Sequence, residues 1–141
     1  MSTQDVWNAL DIRAKAAIAA VSATLPVEEE NIDFQAPAAG HWASIAGAFR
    51  VSSQEEHTLG PGGTKLERGI YSITMVYPTN DGTDGARADI ATLESYFPLA
   101  QTVTSNGQTV TVRGAFPPNT RIIDGTYRMT YSVEWEAIVP K

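Results

Sequence analysis

The chain has 141 residues, 43% hydrophobic and 18% charged, with 11 Gly and 8 Pro, which suits a single globular domain over residues 1–141 and excludes disorder or a collagen-like repeat. The absence of cysteine excludes disulfides, thiolate chemistry and Cys-based zinc or iron–sulfur sites. A net charge of −6, with the ten Lys and Arg scattered between Arg13 and Lys141, argues against affinity for phosphate backbones. Met1–Asp5 lacks a basic leader segment, and Ala14–Val21 is too short and polar-flanked for a signal peptide. No stretch approaches the length of a membrane span, so the chain is expected to be made in the cytoplasm and to stay off membranes unless carried elsewhere.

Thr3 is placed to cap a first helix, whose apolar positions Val6, Trp7, Leu10, Ala14, Ala17, Ile18, Val21 and Leu25 recur at helical spacing until Pro26. Asn31–Phe34 reads as a short strand, and Ala36–Gly40 breaks regular structure. Trp42–Ser53 and Leu66–Tyr77 read as two long antiparallel arms. Ile45, Phe49 and Val51 share one face of the first, and Tyr71, Ile73, Met75 and Tyr77 one face of the second. Pro78–Gly85 is a loop ending on a capping Thr or Asp. A second helix follows with Ala86, Ile90, Leu93 and Phe97 on one stripe, closed by Pro98. Asn106-Gly107 between alternating β-branched residues predicts a tight hairpin over 102–112, because both turn residues need positive φ. After Phe116-Pro117-Pro118 and the turn Asp124-Gly125, Tyr127, Met129, Tyr131, Val133 and Trp135 alternate with polar residues. Such alternation belongs to an antiparallel sheet covered on one face. The expected fold is α+β: an antiparallel sheet of four to six strands, two helices on one face, and a long protruding β-hairpin.

The segment Gln54–Lys65 that joins the two arms is too long for a plain turn, since hairpins close in about two to five residues. A small protein that builds such a ribbon reaches for a neighbour more readily than it encloses a substrate. Glu55, Glu56, His57, Leu59, Gly60, Pro61, Gly62, Gly63 and Lys65 are therefore the candidate assembly residues, with the glycines expected to make the loop flexible until contact orders it.

No template for chemistry is met. Gly60–Lys65 has the wrong order for a phosphate loop and lies between strands, and the third glycine of a dinucleotide fingerprint would fall at Lys65. His41 and His57 lack metal-ligand spacing, and Glu55-Glu56-His57 reads as a solvated cluster. Asn80–Gly85 departs from a calcium loop, with Gly82 at its third position and Ala91 at its twelfth. There is no Gly-x-Ser-x-Gly elbow, and Glu134 and Glu136 lie on the polar face of a strand. The expectation is no catalytic residue, no metal and no cofactor.

The order of features is similar to the small tail-terminator (tail-completion) proteins of long-tailed phages and related gene-transfer particles. The similarity lies in the Ala-rich first helix, Leu25-Pro26-Val27, Asn31–Phe34, Pro37, Phe49-Arg50-Val51 and the tip Thr58-Leu59-Gly60. It continues through Arg68–Ile73, Tyr77-Pro78, Gly82–Ala86, Leu93, Tyr96-Phe97-Pro98 and the final strand with Val133. The resemblance implies a virion protein, not an enzyme, whose subunits form a six-membered ring at the head-proximal end of the tail. That ring caps the tail tube, ends its growth and joins the head–tail connector. The implied partners are copies of itself, the tail-tube protein and neck proteins, with DNA passing through the lumen without specific binding. Two other readings stand beside it: a different neck, connector or tail-tube protein, and a small-ligand-binding module or enzyme using Tyr71, Tyr127 and Tyr131 as a pocket.

Overall fold

A computed structural model describes residues 2–37, 41–78 and 82–141. Two helices and seven strands run in the order α1 (Thr3–Val21), β1 (Val27–Glu28), β2 (Trp42–Ser44), β3 (Phe49–Glu56), β4 (Thr64–Pro78), α2 (Asp84–Tyr96), β5 (Thr102–Ser105), β6 (Gln108–Ile123) and β7 (Thr126–Pro140). The strands form one sheet in the order β1-β2-β4-β7-β6-β5, with β3 beside β2 on the free flank of β4. Its spine is the antiparallel β4–β7 ladder, fifteen residue pairs from Thr64↔Pro140 to Pro78↔Thr126, which spans about 50 Å.

The fold is α+β as expected, but the sheet is larger and its hairpins differ. The arm Trp42–Ser53 is two strands, because the chain turns at Ile45–Ala48 with Gly47 at φ 66°. β2 pairs with the end of β4 and β3 with its beginning, so both lie on one flank. The Leu66–Tyr77 arm extends by two residues at its start and one at its end. The hairpin does not stand free, since β7 accompanies β4 all the way to Pro140. Asn31–Phe34 is not a strand. The short strand is Val27–Glu28 instead, parallel to β2, with Ala43 N–H donating to Pro26 O at 3.0 Å.

A second long hairpin, β6–β7, turns at Asp124 (φ 49°) and Gly125 (φ 74°). The prolines 117 and 118 lie inside β6, at a register irregularity between Phe116 and Asn119. Asn106 (φ 49°) and Gly107 (φ 78°) make the tight turn that their sequence requires. The cap of α1 is Ser2, not Thr3: Ser2 Oγ accepts from Asp5 N–H at 3.2 Å. Thr83 sits at the α2 cap position without a side-chain hydrogen bond. The remainder of the predicted breaks, at 38–40 and 79–81, lies outside the described residues.

Both helices pack on one face of the sheet. There the odd-numbered Tyr71–Tyr77 and Met129–Val139, with Val110 and Val112, meet Val6, Leu10, Ala14, Ile18, Ile90 and Leu93. Trp135 is fully buried and stacks on Phe49 at 5.2 Å, and Phe49 stacks on Trp7 at 5.3 Å. Gly69 lies under this stack, where a Cβ would come 2.5 Å from the Trp135 ring and 2.0 Å from Arg50 O. The opposite face is polar along its middle, with Ser72–Ser132 and Thr74–Thr130 hydroxyl pairs at 2.8 and 3.1 Å.

Candidate assembly surface

Of the candidate residues, Glu55, Glu56 and Lys65 belong to strands, and His57–Gly63 forms the tip. The tip is folded back on itself. His57 and Thr58 N–H both donate to Thr64 O at 3.0 and 3.1 Å, and Gly63 N–H donates to Gly60 O at 3.1 Å. Thr64 N–H donates to Thr58 Oγ1 at 2.6 Å, and His57 Nδ1 lies 3.1 Å from Thr64 Oγ1. Lys141 staples this cap. Its Nζ donates to the Glu56 carboxylate, to Thr58 O at 2.5 Å and to Gly60 O at 2.9 Å, and its N–H donates to Gly63 O at 3.0 Å. The ammonium holds the Glu56 carboxyl below its usual range.

Gly60 (φ 89°) takes a left-handed turn, and a Cβ on Gly63 would lie 2.4 Å from Thr58 Oγ1. These glycines build a specific shape. Leu59 is presented at its crest, 89% exposed.

Behind the tip, on the open face, Glu55 joins a row of charges. Arg68 donates Nη1 to Glu55 at 3.0 Å and Nε to Glu136 at 2.9 Å, and Arg113 Nε lies 4.0 Å from Glu136. On the helix side, Glu67 is completely buried, accepting from Thr3 Oγ1 at 2.7 Å and from the Gln54 amide. Lys65 Nζ is 3.9 Å away. Glu67 is absent from the sequence-derived candidates, although its parity with Tyr71 places it on the core face.

The other end of the sheet carries the Asp124-Gly125 turn, with Ile122 71% exposed beside it. The two hairpin ends therefore lie at opposite ends of the β4–β7 spine.

The tyrosines pack in or against the core. Tyr71 is buried and donates its hydroxyl to Asp11 Oδ1 at 2.5 Å, and burial with that bond raises its pKa. Tyr131 packs against Phe97, its pKa pushed to about 12 by burial, and Tyr127 lies 6.4 Å from Tyr77. His41 stacks on Tyr77 at 4.7 Å with Nε2 3.8 Å from Asp89, and is not brought to His57. Among the described residues no three His, Asp or Glu side chains are grouped to hold a metal ion. The geometry offers contact surfaces: two opposed hairpin ends and long strand edges.

The phage tail terminator protein family matches residues 5–135, and the chain belongs to that family. One solved structure is 24% identical, with 97% of this chain and 96% of the other covered and a TM-score of 0.70. A chain from the virion of a native gene transfer agent particle is 18% identical, covering 98% and 93%, with a TM-score of 0.60. Both share the fold. No curated protein gives a significant match.

Proposed function

We propose that this chain is a structural virion component that forms a hexameric ring at the head-proximal end of a tail. There it caps the tail tube, terminates its polymerisation and joins it to the head–tail connector. The observation that carries this reading is the family match across residues 5–135. The fold it shares with a chain of a gene transfer agent virion supports it. A ring seated between a tube and a connector needs two contact ends. This sheet has a turn at each, the Lys141-stapled cap and Asp124-Gly125. The net charge of −6 suits a conduit through which DNA passes without being held. A tail role also fits a chain whose polar groups are spread over contact surfaces instead of gathered in a cleft.

The test replaces His57–Thr64 by Asn-Gly, leaving the strands to pair as far as Glu56 and Lys65. The protein is expected to remain folded, while particles produced with it carry overlong tubes in electron micrographs. Tails of normal length from the shortened protein would remove the cap from the assembly surface. Absence of the unaltered chain from purified tailed particles would remove the proposed function itself.

A further inference from the structure

Among the described residues, two long strand edges on opposite flanks of the sheet carry no partner. Among the described residues β3 pairs only with β4. Among the described residues the outer edge of β6 is covered only as far as Val112, whose N–H and C=O bond Gln101 and Ala100, and beyond that β6 pairs only with β7. Both free stretches, Arg50 and Ser52–Glu56 on one and Ala115–Ile122 on the other, are exposed almost throughout. Free edges are ready templates for strand addition, and proteins ordinarily blunt them.

We infer that the β3 edge of one copy pairs antiparallel with the β6 edge of the next, with Glu55 opposite Gly114, Ser53 opposite Phe116, Arg50 opposite Asn119 and Phe49 opposite Thr120. This names the partner and register of the ring proposed above, and rests on that reading.

Three independent observations select this pairing. The first is direction. β3 and β7 each run antiparallel to β4, and β6 antiparallel to β7, so β3 and β6 point opposite ways in copies of like orientation.

The second is the match of irregularities. β3 carries an extra residue between Val51 and Ser53, and β6 carries one between Phe116 and Asn119. In the stated register Ser52 faces Pro117, so each strand's kink meets the other's. Sheet faces then agree on both sides of it: Glu55, Ser53 and Arg50 share the open face with Gly114, Phe116 and Asn119, while Phe49 and Thr120 share the helix side. Sliding two residues one way sets Arg50 against Arg121. Sliding two the other way sets the helix-side Val51 against the open-side Phe116. The chosen register also brings Glu55 beside Arg113 across the joint.

The third is geometry. Glu55 is level with Leu66 of β4, and Gly114, through Glu134, is level with Ile70. Aligning them shifts each copy by four residues, about 13 Å, across four strands that span about 19 Å. That corresponds to a strand tilt of about 35°, the tilt at which sheets close into barrels. The two edges differ, so the contact is heterologous and closes only by rotation, as a ring does.

The chain has no cysteine, so introduced pairs report without background. Ser53→Cys with Phe116→Cys places two thiols directly across the joint, within disulfide reach of about 4.5–5.5 Å between Cα atoms. Within one copy they are three strands apart and four residues offset along them, roughly 19 Å in all, too far to bridge. Glu55→Cys with Gly114→Cys is a second pair, and Gly114 has room for a side chain, its nearest Cβ contact being Glu134 at 3.9 Å.

Mild oxidation of rings or purified particles should convert most of the chain with either pair into a ladder of covalent multimers on denaturing gels. A displaced pair, Ser53→Cys with Ile122→Cys, should leave it as single chains. Rings of normal mass that yield no ladder from either matched pair overturn the register while leaving the ring reading intact. Equal ladders from the displaced pair overturn it too. A chain that is monomeric by mass photometry and absent from particles overturns both.

Discussion

Trp135 and Glu134 are sequence neighbours with opposite environments. The indole of Trp135 is fully buried against Phe49 and Gly69, whereas Glu134 is exposed on the open face opposite Ile70 and Gly114. Trp135→Ala is expected to cost about 3–5 kcal/mol. Glu134→Ala is expected to change stability by no more than about 0.5 kcal/mol, and thermal melts of the pair measure the difference. Gly69→Ala should be nearly as harmful as losing the indole, because the added methyl overlaps Arg50 O and the Trp135 ring. Overpacking of this kind costs about 1–3 kcal/mol or more, and a melting point within a degree of the unaltered protein would show that the stack has slack.

Asp11 titrates differently from an exposed carboxylate. Burial raises its pKa, with the Tyr71 hydroxyl bond pulling the other way. The folded chain thus holds this proton more tightly than the unfolded chain. That contribution to stability is present at low pH and is lost as pH climbs from the usual carboxylate value through the raised one. Asp11→Asn keeps an acceptor for Tyr71 without the titration. Its melting point relative to the unaltered protein should therefore rise with pH across that window. A flat difference from about pH 3 to pH 7 would mean that Asp11 titrates normally.

Among the elements, what the sequence made legible follows from local rules. Strict alternation placed every residue of the core face from Tyr127 to Trp135, and Asn106-Gly107 located a turn to the residue. The charged row behind the tip was half visible: Glu55 was a candidate, but Arg68, Glu136 and Arg113 come from three strands and meet only through register. The division of Trp42–Ser53 was not readable, since Ala46-Gly47 is a weak break and both halves pair with the same strand. Pro117-Pro118 looked like a loop because proline has no N–H to give a ladder. Here the two prolines sit at the register irregularity between Phe116 and Asn119, where the ladder is already interrupted, so the loss is tolerated and the strand runs through it. Glu67 shows the converse. Parity put it inside, yet nothing nearby in sequence announced that Thr3, 64 residues earlier, would supply its hydrogen bond.

At the scale of the whole molecule, the strand that comes last in the chain is central in the sheet. β7 lies between β4 and β6, and supplies one side of the fifteen-pair spine together with much of the core. A chain stopped at Gly125 keeps both helices and six strands, but it loses Met129, Tyr131, Val133, Trp135 and Val139. It is expected to show no cooperative melt by circular dichroism, and a sharp transition from it would mean that the rest of the sheet is self-sufficient.

The same arrangement governs when the protein becomes competent during synthesis. Until β7 has emerged from the ribosome, β4 offers a bare edge and Trp135 is not yet there to complete the stack on Phe49, so folding awaits the end of the spine and its long-range contacts. The edges with which one copy would recruit the next are therefore not set in register until translation of the sheet is complete. If copies join by these edges, half-made chains are poor recruits, and the order of the strands itself would keep growing polypeptides out of the proposed ring.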